Sequence, residues 1–99
     1  MIIFIRGKGM KIKIREIIQD DLEDLLKLYE QLGPNPFVQV DKHILDVWNK
    51  ILQNKDYHIV VADVEGKVVS TCTCVIIPNL THNQRPYAVV ENVVTDQNF

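Results

Sequence analysis

Three β-branched runs fill the second half of the chain: Tyr57–Val64, Lys67–Ile77 and Tyr87–Thr95. Such density of valine, isoleucine and threonine fits a pleated, half-buried surface and predicts strands. Glu65-Gly66 separates the first two and is a turn signal, so they should form an antiparallel hairpin. The nearly unbroken apolar and small residues of this pair predict cover on both faces. Pro78–Pro86 is a polar loop closed by proline, the longest in the chain, and loops of this kind often carry function. Asn79-Leu80-Thr81 matches a glycosylation sequon but carries no weight without a secretion signal.

The first half supplies what packs on that sheet. Lys11-Ile-Lys-Ile-Arg alternates charged and apolar residues, as a half-buried strand does. Asp20 and Glu23 stand at capping-box spacing, and Leu22, Leu25, Leu26, Leu28, Tyr29 and Leu32 follow, most of them on one helical stripe. Gly33 sits where a C-terminal cap belongs, and Pro34 stops the helix. Pro34-Asn-Pro-Phe37 is a stiff loop, read as a simple connection or as a binding lip. Asp41 should cap a second helix whose apolar face is Ile44, Leu45, Trp48, Ile51 and Leu52. Trp48, lying in that stripe, is expected in the core. The order strand, helix, helix, then three strands predicts an α/β (α+β-like) domain with a mixed, mostly antiparallel sheet.

The bulk properties exclude several classes. A chain of 99 residues is at most one domain. A net charge of −2 gives no electrostatic case for nucleic acid or an anionic membrane. No apolar run reaches the roughly 18 residues of a membrane span. Residues 1–9 lack signal-peptide order and read as an N-terminal extension or alternative start, with the domain at 10–99. Cys72 and Cys74 share one face of a strand with parallel Cβ vectors, which disfavours a disulfide between them. His43, His58 and His82 are scattered, so no metal site is expected. Two small buried thiols in a reducing cytoplasm is the simpler reading.

The chemically conspicuous residue is Glu91. Alternation along Tyr87–Thr95 puts it between Val89 and Val93 on one face, with Asn92 and Val94 on the other. If the strand is central, desolvation raises the carboxyl pKa toward the range of a general base. If Glu91 pairs with a cation or lies at a solvated edge, it is structural. The residues alone leave both open.

Element order and the closing motif together resemble the first half of the GNAT superfamily, acetyltransferases that move acetyl from acetyl-CoA to an amine. Lys11-Ile-Lys-Ile-Arg-Glu resembles that family's opening strand, the Asp20 and Asp41 helices its two helices, and the hairpin at Gly66 its next two strands. Pro86-Tyr-Ala-Val-Val-Glu-Asn-Val-Val-Thr-Asp96 is similar to its fourth strand, and glucosamine-phosphate acetyltransferases have a close variant with Asp in the place of Asn92. The resemblance implies Glu91 as general base, directly or through water. It implies that backbone groups of Val93, Val94 and Thr95 pair with the pantetheine arm like an added strand. It places Asn35, Phe37, Asn79, Arg85 and Asn92 around a small-molecule or peptide amine. No metal is implied.

The glycine-rich pyrophosphate loop of the family does not follow within these residues, because Gln97-Asn98-Phe99 corresponds to the spacer before it. The expectation is therefore an incomplete domain with little activity alone. Homodimerisation, or pairing of its open strand edge with the missing half, is a further expectation. The competing reading is a non-catalytic ligand-sensing or dimerisation module of similar outline.

Overall fold

The structure, a computed structural model, describes the backbone of residues 2–7 and 10 and the whole of residues 11–33 and 38–99. Five strands form one sheet in the order β1-β2-β3-β4-β5: β1 (Ile2–Gly7), β2 (Met10–Glu16), β3 (Tyr57–Val64), β4 (Lys67–Ile77) and β5 (Tyr87–Thr95). Every pairing is antiparallel. Helices α1 (Leu22–Tyr29) and α2 (Lys42–Gln53) lie between β2 and β3 in sequence. The expected order holds from residue 10 onward. Residues 2–7, read above as part of an extension, add a strand that pairs with β2 from Ile2↔Arg15 to Gly7↔Met10.

The turn between β3 and β4 forms as its sequence predicts. Glu65 and Gly66 both have positive φ, 51° and 91°, as the tight hairpin turn requires. The Gly66 N–H donates to Asp63 Oδ1 at 2.7 Å.

Helix α2 is capped by Asp41, whose Oδ1 accepts from Ile44 N at 2.9 Å. Helix α1 starts differently from expectation. Gln19–Asp21 form a 3₁₀ turn, and Asp21, not Asp20, does the capping: its carboxylate accepts from Ile18 N at 2.7 Å. Arg15 on β2 explains the choice. Its guanidinium holds Asp21 through two bonds of 2.8 and 2.9 Å and reaches Asp63 on β3 at 3.2 Å. Burial works against an ionised Asp21, but Arg15 and the Ile18 N–H outweigh it and keep the carboxyl below its ordinary range. Helix α1 ends in 3₁₀-type bonds from Gln31 to Leu28 and from Leu32 to Tyr29. Gly33 does not take the left-handed conformation expected of a glycine cap.

The core lies between the helices and one sheet face. Leu25, Leu28, Trp48, Ile59, Val61, Val68 and Val94 are buried together there. Trp48 is 4% exposed and spends its indole N–H on Gln19 O at 3.2 Å. The other sheet face carries Val60, Ala62, Cys72 and Cys74, all half-buried, so among the described residues no helix covers that face.

Candidate functional site

β5 occupies the sheet edge, with β4 as its described partner. This corrects the premise on which a desolvated Glu91 rested: the residue is exposed. A carboxylate at a sheet edge keeps its water.

The strand is also not regular. Glu91 pairs with Thr73, and Val94 pairs with Thr71, so Asn92 and Val93 together oppose the single residue Cys72. This is a β-bulge, and Asn92 makes it with φ 52°. Asparagine is among the few residues besides glycine that tolerate this left-handed conformation. The bulge cancels the simple alternation expected through Thr95. Glu91 and Val94 fall on the helix side, where Val94 enters the core at 9% exposure, while Val93 is left 63% exposed.

Residues directly opposite one another in antiparallel strands share a face. Ile59, Thr73 and Glu91 thus form one row across β3, β4 and β5 on the helix side. Thr73 is 1% exposed, and the Tyr29 hydroxyl of α1 sits with the hydroxyls of Thr73 and Thr71. Burial pushes the Tyr29 phenol up, and these hydroxyls partly offset it. Beside this row opens a cavity of about 340 Å³ between α1 and α2, floored by Tyr57 and Ile59 and reached by Asn92.

The C-terminal part of β5 is held from two sides. Asp96 N donates to Val69 O at 2.7 Å, Ser70 Oγ donates to Val94 O at 3.3 Å and lies 2.7 Å from Thr95 Oγ1. Gln31, just beyond α1, donates Nε2–H to Thr95 O at 2.8 Å and accepts from Gln97 N at 3.1 Å. Sequence reasoning missed Gln31 because no local pattern marks a bond spanning 64 residues. Tyr29 reads as core in its helical stripe and Tyr57 as the start of a strand, so neither was marked as a site residue.

Of the residues expected at the site, Glu91 to Thr95 are consecutive on β5, with the bulge at Asn92–Val93. Asn79 and Arg85 line a separate depression with His82 and Tyr87 at the far end of the β4–β5 connection. Asn35 and Phe37 lie outside the described residues. Among the described residues no cluster of three or more His, Cys, Asp or Glu could hold a metal, and no helix is long and apolar enough to cross a membrane.

No family model matches the chain. Solved structures do. A proposed acetyltransferase of Agrobacterium tumefaciens is 40% identical, with a TM-score of 0.78 over 86% of this chain and 59% of its own. Glucosamine-6-phosphate N-acetyltransferase of Arabidopsis thaliana is 26% identical, with a TM-score of 0.76 over 89% of this chain and 62% of its own. A transcriptional regulator of Bacillus halodurans shares the fold at 20% identity, with a TM-score of 0.79 over 88% of this chain and 61% of its own. The chain thus spans about three fifths of the length of the proteins it matches. With the predicted element order found, and the bulged strand in the place of the predicted fourth one, the chain has the fold of the first part of the GNAT-family acetyltransferases.

Proposed function

We propose that this domain serves N-acetyl transfer from acetyl-CoA to a primary amine by direct attack, with Glu91 as the general base. The observation that carries the reading is the Asn92–Val93 bulge on an open strand edge, with a carboxylate directly before it, in a chain 40% identical to a proposed acetyltransferase.

Only a free amine has the lone pair that attacks a carbonyl, so the acceptor ammonium must first lose a proton. Glu91, exposed and on the helix side, can take that proton directly or through one water. Bulged backbone groups around Val93 supply unpaired donors and acceptors along the edge, which an extended pantetheine arm would use as a strand does. Acetyl-CoA when bound supplies the activated acetyl thioester. A backbone N–H of this segment would orient its carbonyl oxygen, a role suited to a fixed dipole. Thr95 contributes less of its carbonyl, because Gln31 already uses it. Asn92 stays among the acceptor-side residues, and Asn79 and Arg85 form a more distant flank. The outer edge of β5 also offers a pairing surface for a second copy or for the part of the fold that this chain does not span.

The test is Glu91→Gln in the longest form of the protein that carries this domain. Acetyl transfer is expected to fall about a hundredfold, the low end of general-base contributions, with a changed pH profile. Acetyl-CoA binding measured by calorimetry should survive. Unchanged turnover and pH dependence would remove Glu91 from the mechanism. The regulator of like fold keeps a non-catalytic sensing reading in view: ligand binding at the same face without transfer in that longest form would favour it.

A further inference from the structure

We infer that the cavity between α1 and α2 seats the apolar body of the acceptor, so that the substrate is an amine carried on an aryl or branched alkyl group. This rests on the acetyltransferase reading and adds a substrate class to it.

Three observations converge. The first is size and lining. The cavity measures about 340 Å³, and about 150 Å³ already admits benzene in an apolar protein interior. Its walls are mostly aliphatic and aromatic: Leu25 and Leu26 from α1, Val47 and Trp48 from α2, Tyr57 and Ile59 from β3. The second is the absence of charge. Among the described residues, no Lys, Arg, Asp or Glu lines it; His43 and Asn92 are the polar ones besides the two tyrosines. A phosphate would call for a guanidinium or ammonium, and a polycation for carboxylates. Neither lines the described wall, so a sugar phosphate or a polyamino sugar fits this wall poorly.

The third is register. Ile59 floors the cavity and stands two strands from Glu91 in the same cross-sheet row, through Thr73. Two inter-strand spacings amount to about 10 Å. Asn92, next to Glu91, reaches the cavity because the bulge turns it there. An apolar group in the cavity on a short spacer therefore brings its ammonium toward Glu91. The hydroxyl of Tyr29 lies along the way.

The chain has a single tryptophan, Trp48, and it lines the cavity, so its emission reports occupancy. The probes are 2-phenylethylamine, 2-phenylethanol and glucosamine 6-phosphate, titrated by fluorescence and calorimetry. We expect a saturable response to 2-phenylethylamine, about tenfold tighter than to glucosamine 6-phosphate and about threefold tighter than to the neutral alcohol. Val47→Phe, at a rim position 41% exposed, should fill the cavity and weaken 2-phenylethylamine about tenfold with the thermal midpoint held. Glu91→Gln, on the exposed edge, should abolish the preference for amine over alcohol. No saturable binding, or equal binding in Val47→Phe, overturns the proposal. Equal affinity for amine and alcohol overturns it as an acceptor site. Acetyl transfer is measured separately. Binding without transfer upholds the cavity and sinks only the reaction, whereas transfer to glucosamine 6-phosphate with no 2-phenylethylamine binding does the reverse.

Discussion

Two acidic residues show how much position decides. Asp21 is 5% exposed and bonded to Arg15, which also holds Asp63, so its charge is compensated inside the fold. Removing the Asp21 carboxylate takes two bonds from Arg15 and leaves Asp63 as its remaining carboxylate. Asp21→Asn should cost about 3 kcal/mol, measured by urea unfolding, with Asp21→Glu recovering little because the fork geometry is lost. The pH dependence has a definite sign. The folded carboxyl titrates below its ordinary value of 3.8. Its stabilisation is therefore fully present above that value and is lost as pH falls through the lower folded value. Asp21→Asn should flatten the acid limb of a stability-against-pH curve below pH 4; an unchanged limb would show that Asp21 does not contribute. Glu91 is the opposite case, exposed and available to a ligand.

At the scale of elements, β5 is the strand whose irregularity matters. The bulge depends on Asn92 at φ 52°. A β-branched residue there meets a left-handed penalty of about 1–2 kcal/mol. Asn92→Val is expected to destabilise by that amount and to perturb the amide resonances of Val93 and Val94. Asn92→Gly should stay within about 0.5 kcal/mol of the parent, because glycine accepts this conformation. If valine were tolerated with unchanged spectra, the bulge would not be imposed by residue 92. Ser70 and Gln31 then fix the strand beyond the bulge, one from β4 and one from the end of α1. Helix α1 thereby connects the cavity to the strand end that the proposed reaction uses.

The whole molecule is more open than its length suggests. Its accessible surface is 7344 Å², against about 5,800 Å² for a monomer of this mass. The radius of gyration is 15.0 Å, against about 12.6 Å for a compact domain of this length. The excess surface is about 1,500 Å². On β5, Val90 is 60% and Val93 63% exposed. An open apolar edge is a pairing surface. The chain should therefore self-associate at about 100 μM in light scattering, and Val90→Lys should lower its apparent mass, since a charge on an edge opposes strand addition. A monomer at all concentrations would count against edge pairing.

How far the sequence reached follows from the range of the forces involved. Periodicity, the Glu65-Gly66 turn and the Asp41 cap are local, and each produced the element it predicted. The motif around Glu91, with the order of elements before it, was enough to indicate the superfamily. Burial of a particular residue is not local. The strand order placed β5 at an edge, which made Glu91 solvated where a run of valines had suggested desolvation. The bond from Arg15, distant in neither sequence nor space but unmarked by helix signals, put the capping on Asp21 where spacing had pointed to Asp20. The cavity between α1 and α2, and the row Ile59–Thr73–Glu91 beside it, join residues far apart in the chain. The sequence by itself determined the elements and the chemistry available to them. Only the tertiary structure decided which of those groups meet, because cross-strand register and helix packing are properties of the assembled sheet.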